Sequence, residues 1–144
     1  MNNPAILLVE DNPKDVIFTL RALNKSNLLN EIVVTRNGEE ALDYLFCKGK
    51  FAKRDSNELP AVVLLDLKLP KIDGFEVLRR IRSNERTRLV PVVILTSSND
   101  EKDLNTCYKL GANSYVTKPV SFSDFSKVIS GLGCYWVLTN NNPH

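Results

Sequence analysis

Residues 60–74 read PAVVLLDLKLPKIDG, and this stretch decides the fold. After the first proline, Ala61–Leu65 is an unbroken apolar run, which is typical of a strand buried on both faces of a sheet. The run ends directly on a carboxylate, Asp66, and the chain then turns through Pro70 and an Asp-Gly pair. A buried strand that ends on a charge indicates that the charge has a role at the edge of the sheet.

Short apolar runs recur along the chain and alternate with segments of helical period. The five predicted strands are Ala5–Val9, Ile32–Thr35, Ala61–Leu65, Val90–Leu95 and Tyr115–Thr117. Apolar residues between and after them recur at steps of three and four, most clearly at Phe122, Phe125, Ile129, Leu132 and Trp136. This alternation predicts an α/β fold, a doubly wound five-stranded parallel sheet of flavodoxin-like strand order 2-1-3-4-5 with helices on both faces.

The starts of four helices also carry sequence signals. Asn12 precedes a proline, which places a capping side chain before the first helical position. Asn37, Asp73 and Ser98 are each followed three positions later by Glu, which is the spacing of a capping box. We therefore predict that helices begin directly after these four residues.

The composition is that of an ordinary globular protein, since 43% of the 144 residues are hydrophobic and 25% are charged. The net charge of +2 argues neither for nor against a nucleic-acid partner. The opening apolar run is too short for a signal peptide, and no apolar stretch approaches the roughly 18–20 residues of a membrane span. We expect one cytoplasmic domain over residues 1–144, with its core at about 5–136 and a tail at 137–144, and with neither membrane nor nucleic-acid partners.

The three cysteines, Cys47, Cys107 and Cys134, are widely spaced and form no CxxC motif. This pattern favours reduced, mostly packed thiols over a metal site or a disulfide framework.

The connection at residues 48–60, KGKFAKRDSNELP, exceeds the roughly 2–6 residues usual between a helix and a strand. Its mixed charges favour a solvated extended loop over a surface that contacts a partner. A group of arginines follows later in the chain: Arg79, Arg80, Arg82, Arg86 and Arg88. Their simplest interpretation is a solvated helix face and loop, and DNA contact is the alternative.

Polar side chains gather at the carboxyl ends of the predicted strands, where ligands bind in open parallel sheets. The first strand ends in Glu10-Asp11, the third in Asp66, the fourth in Thr96-Ser97 and the fifth in Thr117-Lys118-Pro119. If the first and third strands are neighbours, three carboxylates converge, which raises at least one pKa or recruits a cation. An oxygen-only ligand set suits Mg²⁺, and a nearby lysine with hydroxyls suits phosphoryl transfer to a carboxylate.

Each of these features also has a simpler interpretation. Glu10-Asp11 by itself fits a turn or a helix cap, Asp66 fits a cap, and a Lys-Pro pair is weak evidence.

Two other classes of protein share either the aspartyl-phosphate chemistry or the sheet topology. A haloacid-dehalogenase-type phosphatase needs a second acid two residues after its nucleophile, where this chain has Lys68, and a flavin-binding module would not place an acidic EDNPKD loop after the first strand.

In four ordered motifs the chain resembles the receiver domain of two-component response regulators, the chemotaxis-type fold. The motifs are ILLVEDNP, VVLLDLKLPKIDG, PVVILTS and GANSYVTKP, and the resemblance covers roughly residues 5–136. It implies that Asp66 accepts a phosphoryl group from a histidine kinase. It also implies a Mg²⁺ (or Mn²⁺) site made by Asp11, Asp66 and the backbone carbonyl of Lys68, with Glu10 assisting.

The resemblance assigns further roles near the phosphate. Lys118 would pair with the phosphoryl group, and Thr96 with Ser97 would bind its oxygens. Tyr115 would be the aromatic switch residue that reports on Thr96. The Lys118–Pro119 peptide is expected to be cis.

Two positions and two longer segments vary within this family. Lys68 and Ser98, each two residues beyond a site residue, are expected to tune the lifetime of the phosphate. The insertion at 48–60 and the long last helix ending near Trp136 resemble single-domain regulators that partner bacterial phytochrome kinases.

Because the sequence stops at His144, no output domain is expected, and catalysis is expected only on the protein's own phosphoryl group. The signal would then leave through the surface of the fourth helix, fifth strand and fifth helix. The expected partners are a sensor histidine kinase, a downstream protein or phosphotransfer partner, and a second copy of the chain.

Overall fold

The structure is a computed structural model that describes residues 4–25, 28–118 and 121–139. It contains five strands and five α-helices in strict alternation, as predicted. In chain order they are β1 (Ile6–Val9), α1 (Pro13–Lys25), β2 (Ile32–Thr35), α2 (Gly38–Phe46), β3 (Val62–Leu65), α3 (Gly74–Ser83), β4 (Val92–Thr96), α4 (Glu101–Lys109), β5 (Ser114–Thr117) and α5 (Phe122–Cys134). A 3₁₀ turn at Gly49–Phe51 lies in the insertion, and a π-helical turn at Tyr135–Thr139 follows α5.

The five strands form one parallel sheet in the order β2-β1-β3-β4-β5, which confirms the predicted topology. The register pairs Val9 with both Thr35 and Leu65, so β1, β2 and β3 end level with one another. The carboxyl ends that carry the polar residues therefore lie along one edge.

The hydrophobic core occupies both faces of the sheet because alternate strand residues point to opposite sides. Leu7, Val63 and Ile94 belong to the face covered by α2, α3 and α4. Leu8 and Leu64 belong to the face covered by α1 and α5. Strands β1, β3 and β4 are buried on both faces, and this explains their unbroken apolar composition.

Three of the four predicted helix starts are confirmed. The side chain of Asn12 accepts hydrogen bonds from the first turn of α1, and Asn37 and Asp73 cap α2 and α3 in the same way. The predicted cap at Ser98 is wrong, because Asp100 caps α4 by accepting from the backbone N–H of Lys102. The Ser98 hydroxyl is occupied instead with Asp103, 2.8 Å away.

Phe125 and Ile129 of α5 and Trp136 of the following π-helical turn are buried, in agreement with the predicted stripe. The side chain of Phe122 and residues 140–144 of the predicted tail lie outside the described part of the chain. Within that part, none of the helices combines the length and the hydropathy of a membrane span.

The insertion at 48–60 is mostly exposed, as predicted, but Arg54 attaches it to α2. The Arg54 guanidinium lies 3.7 Å from the centre of the Tyr44 ring. It donates to the Tyr44 carbonyl at 2.6 Å, to the Glu58 carbonyl at 2.7 Å and to the Cys47 sulfur at 3.3 Å. The extended loop is therefore attached to α2 rather than wholly solvated.

The interpretation of the arginine group as solvated is wrong for two of its members. Arg82 is half-buried and donates to the carbonyls of Gly111 and Val90, at 2.9 and 2.7 Å. Arg86 donates to the carbonyls of Leu45 and Ser56 and so joins the α3–β4 connection to α2 and to the insertion. Both side chains therefore hold loops in place through hydrogen bonds to backbone carbonyls.

Among the cysteines, Cys107 is buried on α4, and burial raises the pKa of its thiol to about 11. Cys47 is half-buried and ends α2 with a left-handed backbone, φ 56°. The side chain of Cys134 lies outside the described residues.

Candidate functional site

Three carboxylates converge where β1 and β3 end. Glu10 and Asp11 follow β1, Asp66 follows β3, and one oxygen from each lies within 4.8 Å of the others. Glu10 and Asp66 are buried, at 2% and 8% exposure, while Asp11 is exposed. The structure thus brings together the three acids that the sequence placed at one rim.

Backbone contacts hold Asp66 at the end of β3. Its N–H donates to the carbonyl of Val9 at 3.1 Å, and its Oδ1 accepts from the N–H of Leu67 at 2.7 Å. The turn that follows passes close by, since a Cβ on Gly74 would lie 2.2 Å from the Asp66 carbonyl oxygen. Only glycine allows this approach, which explains the Asp-Gly pair in the deciding stretch.

Lys118 follows β5, and its ammonium group lies among the acids. Its Nζ donates to Glu10 Oε1, to Asp15 Oδ2 at 2.9 Å and to Asp66 Oδ2 at 3.2 Å. The Lys118 side chain is only 7% exposed, so these ion pairs are largely shielded from water. Its backbone N–H donates to the Thr96 carbonyl at 2.7 Å, which joins the ends of β4 and β5.

Burial and neighbouring charges shift two pKa values at this site. Burial raises the pKa of Glu10 from 4.5 to about 7, opposed by the hydrogen bond from Lys118 and reinforced by the charge of Asp66. Burial by itself would lower the pKa of Lys118, but its hydrogen bonds to Glu10 and Asp15 and the charge of Asp66 outweigh it, so the pKa is raised. Lys118 is therefore a permanent cation at neutral pH. The pKa of Glu10 is raised as predicted, but burial is the main cause and the charge of Asp66 the smaller one.

Thr96 ends β4 and is fully buried. Its hydroxyl oxygen accepts a 3.3 Å hydrogen bond from the Ser98 N–H, which leaves the hydroxyl proton for another acceptor. Ser97 is exposed beside it. The Tyr115 hydroxyl donates to the Ser98 carbonyl at 2.9 Å, so the aromatic residue and Thr96 contact the same loop residue.

Two assigned features stay predictions. Lys68 is exposed two residues beyond Asp66, and its carbonyl stays a predicted metal ligand. Pro119 lies outside the described residues, so the cis Lys118–Pro119 peptide also stays a prediction.

Sequence reasoning missed Asp15, the fourth carboxylate at the site. It lies in the first turn of α1, and its side chain is 22% exposed. The available signal was that Asp15 lies in the first turn of the helix that directly follows the acidic pair Glu10-Asp11.

The donor set fits a hard divalent cation. Glu10, Asp11 and Asp66 offer carboxylate oxygens close enough to share one ion, and oxygen ligands with room for water are what Mg²⁺ prefers. The exposure of Asp11 leaves such an ion open to solvent and to a phosphate.

A family model described as the response regulator receiver domain matches residues 6–130. The chain belongs to this family. Members of this family accept a phosphoryl group on an aspartate from a histidine kinase and bind a divalent metal at an acidic pocket. They are in general not enzymes. Membership also removes the phosphatase and flavin-binding alternatives.

Relatives of the response regulator match along nearly its whole length. Rcp1 of Synechocystis sp. is 36% identical over 144 residues, covering 99% of this chain and 96% of Rcp1. The crystal structure of the Mn²⁺-bound form of Rcp1 has a TM-score of 0.90, at 35% identity over 98% of this chain and 99% of that one.

Two other solved structures are similar. The phosphorylated cyanobacterial phytochrome response regulator RcpA has a TM-score of 0.91, at 37% identity with 99% of each chain covered. The bacteriophytochrome response regulator AtBRR is 53% identical, with a TM-score of 0.76 over 98% of this chain and 99% of that one. The family, the fold and the resemblance to phytochrome response regulators are thereby confirmed.

Proposed function

We propose that Asp66 is the phosphoacceptor of this response regulator. The observation that carries the proposal is the position of the Lys118 ammonium, which contacts the Asp66 carboxylate within a group of metal-suited acids. A reactive carboxylate that is buried, oriented and paired with a permanent cation suits transfer of a dianionic group.

In the proposed reaction a carboxylate oxygen of Asp66 attacks phosphorus and forms a P–O bond. The bond between phosphorus and the imidazole nitrogen of the kinase phosphohistidine breaks, and the electron pair stays on that nitrogen. The Leu67 N–H fixes the carboxylate through Oδ1, 2.7 Å away. Lys118 neutralises charge on the transferred group, and Thr96 donates its free hydroxyl proton to a phosphoryl oxygen, with Ser97 at the open side.

Glu10, Asp11, Asp66 and the Lys68 carbonyl are the proposed ligands for Mg²⁺ (or Mn²⁺). When bound, the ion would supply positive charge beyond that of Lys118, the cation that the four acids of the site already share. The Mn²⁺-bound Rcp1 structure supports a divalent ion for this family, and the assignment of Mg²⁺ rests on the oxygen-only donors.

Loss of the phosphoryl group to water, catalysed by the same site, would end the signal. Lys68 and Ser98 are the proposed residues that tune its lifetime. Ser98 does so indirectly, because its hydroxyl contacts Asp103 of α4.

The proposed output surface is formed by α4, β5 and α5. Tyr115 supports this choice, since it lies on β5 and its hydroxyl contacts the loop that follows Thr96. The proposed partners are a cytoplasmic sensor histidine kinase, of bacterial phytochrome type by similarity to Rcp1, RcpA and AtBRR, and a downstream protein, a phosphotransfer protein or a second copy.

The test is incubation with Mg²⁺ and acetyl phosphate, followed by intact mass and size-exclusion analysis. We expect wild type to gain one phosphate mass, and Asp66→Asn or chelation of the metal to abolish the gain. Asp55→Asn, an exposed aspartate of the insertion, is the matched control and should be labelled like wild type.

Three outcomes would contradict parts of the proposal. A wild-type protein that gains no mass rejects the phosphoacceptor function. Labelling of Asp66→Asn places the acceptor elsewhere. A mass gain with no change in size rejects dimerisation driven by phosphorylation.

A further inference from the structure

Asp15 holds the ammonium group of Lys118 from the side of α1. The Nζ–Oδ2 distance is 2.9 Å, shorter than the 3.2 Å between Nζ and Asp66 Oδ2. The pair connects residues 103 positions apart and joins the first turn of α1 to the end of β5. None of the roles described above uses this carboxylate.

Hydrogen bonds on both sides fix the backbone of Asp15 at the start of α1. The Asp15 N–H donates to Asn12 Oδ1 at 3.3 Å, and the Asp15 carbonyl accepts from the Thr19 hydroxyl at 2.7 Å. Thr19 is buried, which anchors that contact. Asp15 therefore presents a negative charge from the first turn of α1 to the ammonium group of Lys118.

Lys118 has three N–H donors, and the structure gives one each to Glu10, Asp15 and Asp66. A phosphoryl group on Asp66 can engage the ammonium only if Lys118 loosens its existing contacts. The contact to Asp66 is replaced by the phosphoryl group itself, whereas the contact to Asp15 competes with it.

Asp15 acts on Lys118 and not on the metal donors. Among the described residues, the acids whose oxygens cluster closely enough to share an ion are Glu10, Asp11 and Asp66. A change at Asp15 should therefore separate phosphoryl binding from metal binding.

We infer that Asp15 is a positioning residue that restrains Lys118 and weakens the hold of the site on the phosphoryl group. The inference rests on the proposed function of Asp66 and Lys118. Asp15 acts by competing for the ammonium and by adding a negative charge near a dianionic group. It thereby lowers the occupancy of the phosphorylated state.

The test compares wild type, Asp15→Asn and Asp15→Glu by calorimetric titration with Mg²⁺ and, at saturating Mg²⁺, with beryllofluoride, whose BeF₃ unit stands in for the phosphoryl group. Asp15→Asn should bind beryllofluoride about 3- to 10-fold more tightly, since one opposing charge is removed at short range. Its Mg²⁺ affinity should not rise and is expected to fall slightly, because the same negative charge also attracts the cation. Asp15→Glu keeps the charge and should return beryllofluoride affinity toward wild type.

Glu101→Gln is the control, because Glu101 is also an acid in the first turn of a helix but is exposed and distant in sequence from Lys118. The Glu101→Gln variant loses the same favourable interaction with a helix dipole. Its affinities for Mg²⁺ and for beryllofluoride should stay at wild-type values. Unchanged or weaker beryllofluoride binding by Asp15→Asn overturns the inference, as does a parallel rise in Mg²⁺ affinity. A wild-type protein that binds no beryllofluoride contradicts the proposed function, and the inference falls with it.

Discussion

The Tyr115 hydroxyl donates a hydrogen bond to the carbonyl oxygen of Ser98, 2.9 Å away. The Ser98 N–H in turn donates to Thr96 Oγ1, and the Ser98 hydroxyl donates to Asp103 of α4. One loop residue therefore contacts the proposed phosphate-binding threonine, the aromatic residue of β5 and the helix of the output surface. A movement of Thr96 toward a phosphate has a direct physical route to α4.

Tyr115→Phe should loosen the β4–α4 loop without unfolding the protein. The substitution keeps the ring and removes the hydrogen bond that closes the loop over Ser98. We expect faster amide exchange at residues 98–103, measured by hydrogen–deuterium exchange mass spectrometry. Tyr108→Phe, at an exposed position on α4, is the control and should leave exchange unchanged. Equal exchange in Tyr115→Phe and wild type would show that the bond does not restrain the loop.

Arg54→Ala should release the insertion from α2. The change removes two hydrogen bonds to carbonyls and the contact with the Tyr44 ring, for an expected loss of about 2 kcal/mol in the free energy of unfolding. Urea denaturation measures the loss, and limited proteolysis should cut faster within 48–60. Arg54→Lys should recover little because an ammonium cannot reproduce the forked contacts. The neighbouring exposed Lys53→Ala should behave like wild type, and equal stability of Arg54→Ala would contradict the assigned role.

Gly74→Ala should be severely destabilising. The added Cβ would lie 2.2 Å from the Asp66 carbonyl oxygen and 2.7 Å from Leu67 Cα, so the backbone must move, at a cost of about 3 kcal/mol or more. Since the displaced carbonyl belongs to the proposed phosphoacceptor, labelling by acetyl phosphate should also fall. Gly131→Ala is the contrasting variant, because nothing lies within 4 Å of its Cβ and it should raise stability by up to about 1 kcal/mol. Thermal denaturation of the pair tests both signs.

The metal-free protein should lose stability as the pH rises from about 5 to 7. The pKa of Glu10 is about 7 when folded against an ordinary 4.5, so in this interval the folded state retains a proton that the unfolded state has lost. The stability is complete below the unfolded pKa and is lost as the pH rises through the folded one, with a total on the order of 2–3 kcal/mol. Urea denaturation in EDTA at several pH values measures the slope. Glu10→Gln should flatten it, and an equally steep slope in that variant would assign the effect to another group.

Local sequence patterns predicted most of the fold because they act over a few residues. The run Ala61–Leu65 is apolar without alternation because β3 is covered by helices on both faces. The capping signals at Asn37 and Asp73 hold because each side chain reaches an N–H three residues ahead. The same spacing failed at Ser98. Its hydroxyl bonds to Asp103, its carbonyl accepts from Tyr115, and Asp100 caps α4 instead.

The arginines were misjudged for a related reason. Composition indicates that Arg82 and Arg86 are charged, but it does not indicate which carbonyls lack partners nearby. Arg86 contacts Leu45, 41 residues away, and Arg82 contacts Gly111, 29 residues away. These contacts depend on where separate loops come together.

By itself the sequence determined the order of strands and helices and the strand-end placement of Glu10, Asp66, Thr96 and Lys118, because hydrophobic period and turn chemistry are local properties. Only the tertiary structure decided which groups share Lys118, since that choice follows from how the sheet brings the ends of β1, β3 and β5 together beside the start of α1. Asp15 entered the site in this way, at 2.9 Å from an ammonium group 103 residues distant. Ion pairs over such separations depend on the crossovers of the whole sheet, and no stretch of the chain encodes them alone.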